Sequence, residues 1–257
     1  MKITAHCLVK NEENFIWFAI NSVIDYVDEI MVWDHGSVDK TISLIESINH
    51  PKVKFKKVTG KVAEIRQRML NETEADWILI LDGDEIWSES AISNLQFTIH
   101  NSNPKVDVIV SPNYLLVGDM FHYMEEAAGK YRIAGRVGHY NIRAIRKAPG
   151  LHVEGVYPNE AYVTKDGIKV QDLPKDRILF LDEPYLHVSF LPRSRRDKKK
   201  VKFEIGEQFP KDFYYPEAFF RPKPEIVPSV WKSINFPYKF RAFFETPPRK
   251  LWRRITR

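Results

Sequence analysis

Strand-like apolar runs alternate with segments of helical spacing through the first 110 residues, and this alternation limits the fold more than any other property of the chain. The runs lie at Ile3–Val9 and at residues 29–33, 53–58, 77–81 and 106–110. Between them, Phe15, Phe18, Ala19, Ser22 and Val23 form one helical stripe, and Ile42, Leu44, Ile45 and Ile48 a second. A third follows Val62, Ile65, Met69 and Leu70, and a fourth Ile92, Leu95 and Ile99. Strands separated by single helices need crossover connections. The pattern therefore predicts βαβ units and an α/β fold with a Rossmann-like, mostly parallel central sheet flanked by helices. Beyond about residue 112 glycines punctuate shorter apolar pieces, which predicts hairpins.

A chain of 257 residues can bury a core without covalent staples. Its single cysteine, Cys7, excludes an intramolecular disulfide, fits a reducing cytosol and reads as a small buried hydrophobe in the first strand. The N-terminal residues lack the basic flank and apolar run of a signal peptide. No stretch approaches the roughly 18 apolar residues of a membrane span. The expectation is a cytoplasmic protein.

Charge divides the chain. Residues 1–190 carry 21 basic and 27 acidic side chains, a net of −6, and residues 191–257 carry 18 and 7, a net of +11. The second part also holds 9 of the 16 prolines and 14 of the 33 aromatics. An acidic body with a basic, aromatic tail does not fit a nucleic-acid-binding domain, and no nucleic-acid partner is expected. The division expected is a catalytic domain over 1–190, with halves 1–111 and 112–190, and a C-terminal extension over 191–257. Residues 191–209 predict a basic helix, and from Pro210 onward prolines should break any long element. Basic clusters at 193–202 (Arg193, Arg195, Arg196, Lys198, Lys199, Lys200, Lys202) and at Arg249, Lys250, Arg253 and Arg254 accompany Trp231, Phe236, Tyr238, Phe240, Phe243, Phe244 and Trp252. That combination suits reversible attachment to an anionic membrane surface, on its cytoplasmic face. Packing of the same aromatics on the catalytic domain is the alternative.

Ligands of open α/β sheets bind outside the carboxyl ends of the strands. Here the first strand ends in Lys10-Asn11-Glu12-Glu13, the second in Asp34-His35-Gly36-Ser37-Val38-Asp39-Lys40-Thr41, and the fourth in Asp82-Gly83-Asp84-Glu85. Carboxylates at the ends of buried strands are costly unless paired or used. Asp82 and Asp84, one glycine apart, can meet a hard divalent cation and a ribose hydroxyl together; a solvated turn with an acidic helix cap is the plainer reading. Asp34 can bond a ligand base or sugar. From the residues alone, Ser37 as helix N-cap and Asp39 as a first-turn charge are the simpler assignment for its loop.

In this order the motifs resemble the nucleotide-binding half of family 2 glycosyltransferases. The Asn-Glu-Glu run, the Asp34–Thr41 turn, Ala63-Glu64-Ile65-Arg66 and the strand ending in Asp82-Gly83-Asp84-Glu85 all correspond, over about residues 3–190. The resemblance implies a GT-A fold, a nucleotide-diphosphate sugar donor with UDP favoured, and a divalent cation, Mn²⁺ or Mg²⁺. It places Asn11, Glu13, Asp34, Arg66 and Asp82 at the nucleotide sugar, and Asp84 with Asp82 at the metal. A late histidine completes the metal shell in some such enzymes, and His187 has the right order in the chain; a core histidine is the alternative. Gln67 and Met69 depart from the family's Asn and Gly.

The stretch from Arg143 to Gly155 resembles a family segment that leads to a His-Glu pair, here replaced by Pro158-Asn159-Glu160. Inverting transfer to a glycan or lipid-linked acceptor needs one base for the acceptor hydroxyl. Glu160 is the candidate, with Glu154, Asp119 and Asp182 as rivals. Trp87 suits either sugar stacking or the core, and His6, His139 and His152 read as structural. Two other readings compete. A nucleotidyltransferase of the same fold is disfavoured by acidic residues where a Gly-rich basic loop belongs. The other is a membrane- or nucleic-acid-binding module on a degenerate transferase domain.

Overall fold

β1 (Ile3–Val9) is buried on both faces, from Ile3, Ala5, Cys7 and Val9 on one side to Thr4 and His6 on the other. Such a strand belongs in the middle of a doubly covered sheet. In the computed structural model, which describes residues 1–192 and 202–256, β1 pairs in parallel with β2 (Glu29–Asp34) and with β4 (Trp77–Ile80). β3 (Val53–Lys57) adds in parallel beyond β2. The crossovers are α1 (Ile16–Val23), α2 (Thr41–Glu46) and α3 (Val62–Glu72), each on its expected stripe. Strand order thus runs 3-2-1-4, and the direction of winding reverses between β1 and β4.

After β5 (Glu85–Ile86), α4 (Glu89–Asn101) starts at Ser88, whose hydroxyl accepts from the Ala91 N–H. β6 (Val108–Leu115) follows, then β7 (His122–Tyr123), β8 (Tyr131–Ile133) and β9 (Arg136–Gly138), the last two forming a hairpin. β10 (Tyr140–Arg146) enters the sheet antiparallel between β4 and β6. β11 (His152–Glu154) and β12 (Ala161–Val163) make a separate pair against α3. β13 (Ile178–Phe180) and β14 (Tyr185–His187) both run parallel to β6, one after the other along the same edge, and β14 brings β5 with it. The fold is the expected mostly parallel α/β sheet flanked by helices, and the hairpins expected after residue 112 are present.

The last part of the chain differs from expectation. The cluster from Arg193 to Lys200 lies outside the described residues, as do positions 193–201 of the helix expected over 191–209. Residues 202–206 are not helical, and β15 (Glu207–Gln208) pairs with β7. Phe209, Ala218, Phe219 and Val227 bury in the same core as β1, and Trp231 packs on Phe121, Tyr215 and Phe219. Prolines do not prevent a long element either: α5 (Phe236–Thr256) contains Pro247 and Pro248. Glu245 pairs with both Arg241 and Arg249, the second pair spanning the prolines, and Arg253 is clamped by Glu204 and Glu125, so side-chain pairs and tertiary anchoring hold the helix on both sides of the proline pair. Among the described residues no helix is long and apolar enough to cross a membrane.

Candidate active site

The carboxyl ends of β1 and β4 meet where the winding reverses, the place where open α/β sheets bind ligands. Their loops touch there: a Cβ on Gly83 would lie 3.0 Å from Glu12 Cγ and 3.2 Å from Val9, so only glycine lets Asp82 and Asp84 sit this close to the first loop. Asn11, with φ of 57°, turns the chain out of β1. Its amide donates to Ser37 Oγ at 2.8 Å, and its side chain accepts from the Val38 N–H at 2.9 Å. Glu13 accepts from the Lys40 N–H, and the Glu12 N–H donates to Thr41 Oγ1 at 2.8 Å. Asn11 and Glu13 thus join the loops after β1 and β2 into one rim.

Asp34 is buried at the end of β2. Its Oδ2 accepts from the N–H groups of Gly36 and Ser37, while its Oδ1 has no hydrogen-bond partner. Capping of α2 falls to Asp39, which accepts from the Thr41 N–H at 2.9 Å. Ser37 is not an N-cap, because the helix begins four residues later and its hydroxyl serves Asn11 instead.

The two carboxylates after β4 have different neighbours. Asp82 lies between arginines, 3.9 Å from Arg66 Nη2 and 3.3 Å from Arg143 Nη1. Asp84 is buried and faces His187, with 3.7 Å between Oδ2 and Nε2. Burial pulls His187 toward the neutral form, but Asp84 more than offsets it and its pKa is raised. β14 sets this contact, placing His187 opposite Glu85 and sending the Val188 N–H to the Asp84 carbonyl at 2.9 Å.

Arg66 on α3 reaches across to Glu160, with 3.5 Å between Nε and Oε1. Burial works against its charge, but Tyr162, Asp82 and Glu160 more than compensate, and it stays cationic. Gln67 explains how Glu160 arrives: its Oε1 accepts from the Val153 N–H at 2.7 Å and docks the β11–β12 hairpin on α3. Glu160 is 12% exposed, and its Oε2 has no hydrogen-bond partner. The rival carboxylates stand elsewhere. Asp119 accepts from Phe121, His122 and Ile234 and is fully engaged, Glu154 is exposed beside His152, and Asp182 is exposed on a loop.

Three residues beneath the site escaped the sequence reading. Glu85 is fully buried, 2.9 Å from Arg143 Nη2, and accepts from the Tyr185 hydroxyl at 2.9 Å. Burial pushes its pKa up to about 7, against the pull of Arg143. Arg143 also bonds the Ile80 carbonyl, so one buried cation ties β4, Asp82 and Glu85 together. Each lies within two positions of a residue the motifs had marked. The available signal was a charged or phenolic side chain on an apolar strand. Trp87 is fully buried and stacks on Tyr185 at 4.7 Å, which makes it a core residue and not a sugar platform.

The donor set fits Mg²⁺ or Mn²⁺ as such ions are commonly held, by one or two carboxylates with substrate phosphates completing the shell. Among the described residues no three His, Cys, Asp or Glu side chains converge on one point. Asp84 with His187, and Asp82 beside them, are the groups available. Farther along the same strand ends, Phe190, Leu191 and Asn14 border a cavity of about 730 Å³ that is closed by residues 228–235 and the first turn of α5.

Residues 7–146 match the model of the family described as glycosyl transferase family 2. An uncharacterized glycosyltransferase from Rickettsia bellii is 38% identical over 104 residues, 40% of this chain and 34% of that protein. The SPbeta prophage-derived glycosyltransferase SunS of Bacillus subtilis is 30% identical over 88 residues, 34% of this chain and 21% of that protein. The chain spans about a third or less of the length of these curated relatives. Among solved structures, TarS from S. aureus superposes with a TM-score of 0.48 at 16% identity, over 74% of this chain and 61% of that one. Glucosyl-3-phosphoglycerate synthase from Mycobacterium tuberculosis, in complex with Mn²⁺, UDP and glucosyl-3-phosphoglycerate, gives 0.37 at 21% identity, over 43% of each chain.

Proposed function

The chain belongs to glycosyl transferase family 2, and on that premise we propose that it moves a sugar, with inversion, from a nucleotide-diphosphate donor to a hydroxyl of a glycan or lipid-linked acceptor. The observation that carries this reading is a pair of charged groups at the switch between β1 and β4, Asp82 and Glu160 on Arg66 and Asp84 on His187. Asp34 Oδ1, buried and without a partner among the described residues, suits a base that carries a ring N–H, as uracil, thymine and guanine do, and UDP is the donor of first choice. Asp82 and Arg66 lie where the ribose and diphosphate belong, and the rim built by Asn11 and Glu13 holds the nucleotide side of the site in shape.

Asp84 and His187, with Asp82, are the residues that would hold a divalent cation. An imidazole in the shell favours Mn²⁺ over the harder Mg²⁺. When bound, such an ion supplies charge neutralisation for the diphosphate leaving group. Glu160 takes the proton of the acceptor hydroxyl. Arg66 aims that carboxylate and is itself positioned to meet the charge of the departing diphosphate. The cavity bordered by Phe190 and α5 is the proposed acceptor site.

Release of UDP from UDP-sugars in the presence of Mn²⁺, with and without a Glu160→Gln substitution, tests the assignment. Metal-dependent turnover that falls about a hundredfold or more in the variant, with unchanged UDP affinity, is expected. Full turnover in EDTA, or in Glu160→Gln, would remove the corresponding role.

A further inference from the structure

α5 is attached to the protein along one side only. Tyr238, Ala242, Thr246 and Arg253 are buried and fall on one arc of the helix. Their bonds run to the adjacent segment: Tyr238 donates to the Lys202 carbonyl at 2.7 Å, Thr246 Oγ1 accepts from the Ile205 N–H at 2.8 Å, and Arg253 grips Glu204 and Glu125. The helix therefore lies along the surface and does not project from it.

The opposite side is largely apolar and, among the described residues, uncovered. Phe236, Phe240, Phe243, Phe244, Leu251 and Ile255 occupy an arc of roughly 120° at 100° per residue, and each is between 59% and 77% exposed. Phe236, Phe240 and Phe244 follow one another at four-residue spacing with ring contacts of 6.3 and 5.1 Å, so the face is a continuous aromatic ridge. Contiguous apolar surface of this kind marks a contact with something else.

Charge says with what. The helix carries six basic residues and one acid, Glu245, which Arg241 and Arg249 already engage. Lys239 stays exposed beside the ridge, and Arg254 stays exposed within its arc in the last turn. A second copy of this helix would bring like charges together along the contact, with no acidic group left to pair them. An apolar interior bounded by anionic groups answers both features, and that is the surface of a membrane containing anionic lipid. We propose that α5 is an interfacial helix which inserts this aromatic ridge among anionic lipids and holds the protein on the membrane. Its first turn also borders the cavity assigned to the acceptor, so lipid contact would place that cavity beside a lipid-linked substrate. The membrane contact itself does not depend on the catalytic reading.

Sedimentation of the full chain with vesicles tests it, because vesicle binding requires no turnover. The probes are phosphatidylcholine vesicles with and without phosphatidylglycerol at low salt. The variant carries Phe240→Ser, Phe244→Ser and Leu251→Ser, exposed positions whose replacement leaves the packed side of the helix untouched. Thermal unfolding confirms that it folds like the parent. The parent is expected to bind phosphatidylglycerol vesicles at least tenfold more tightly than neutral ones, and at least tenfold more tightly than the variant does. Equal binding by parent and variant, equal binding to both vesicle types, or no binding by the parent would overturn the proposal. A parent that ignores vesicles but forms a dimer abolished by the three substitutions would make a second copy the occupant instead.

Discussion

On the side of the sheet built by β1 to β4, the site loops leave neighbouring parallel strands and are tied to each other by Asn11, Glu13, Ser37 and Thr41. On the side built around β6, Glu160 comes from a small hairpin and His187 from a three-residue strand. The first group of residues is held by bonds between adjacent loops. The second depends on single contacts from far along the chain, such as the Gln67 bond to Val153, 86 positions away. The proposed donor cradle is thus largely preformed by adjacent loops, and His187 and Glu160 are brought to it from the other side.

The comparison can be broken first at Asp84. If donor handling resides in the β1–β4 side, Asp84→Ala should lower transfer a thousandfold or more, equivalent to ~4 kcal/mol, while the unfolding temperature stays near that of the parent. Steady-state release of UDP with a parallel melting curve checks both halves of that statement.

The donor side should also be the one that acid attacks through a buried histidine. His6 Nε2 lies 2.6 Å from Thr73 Oγ1, and burial, with Arg66 and Lys147 adding, pushes its pKa down to about 3. Below the ordinary histidine value of about 6.5 the unfolded chain binds this proton and the folded one does not. Stability is therefore full above that pH and is lost as the pH falls toward 3, by about 5 kcal/mol in all. Urea midpoints across that range should fall less steeply in His6→Gln than in the parent; parallel curves would mean that the ring does not control the loss.

Arg143 sharpens the comparison from the other side, since it sits on β10 yet supports Asp82 and Glu85. Arg143→Met leaves the Glu85 carboxyl buried without its cation and should cost ~3 kcal/mol of unfolding free energy. Replacing Glu85 by Gln in the same protein should recover part of that loss. The smallest effect is expected at Gln67, where Gln67→Ala strands the Val153 N–H for about 1 kcal/mol. Turnover should drop by more than stability explains, because the hairpin carrying Glu160 loses its dock.

Sequence reading succeeded where structure is local. Ile3–Val9 and the stripes of α1 and α3 bury what their spacing says they bury, and Asp34 and Asp82 stand at the strand ends where the pattern put them. It succeeded less where a side chain's task is set by a distant partner. Nothing near Arg143 announces that it will be buried between Glu85 and Asp82, and nothing near Ser37 says that Asn11 will take its hydroxyl. Pro247 and Pro248 were misleading for a physical reason. Proline removes two N–H groups from the helix, but anchoring of Tyr238, Thr246 and Arg253 to a distant segment holds the helix on both sides of the pair, which no local rule anticipates. Trp231 and Tyr238, grouped by composition with the other tail aromatics, are packed against the body, whereas Phe240 and Phe244 on the same stretch are not.

The division of labour between the two sides is tested most directly by calorimetric titration of UDP into the full chain, with Mn²⁺ and with EDTA, for the parent, Asp84→Ala and Glu160→Gln. The expected result is Mn²⁺-dependent binding by the parent, its loss in Asp84→Ala, and its retention in Glu160→Gln. UDP binding that is indifferent to EDTA and to Asp84, or that vanishes with Glu160, would contradict a donor cradle formed chiefly by the β1–β4 side.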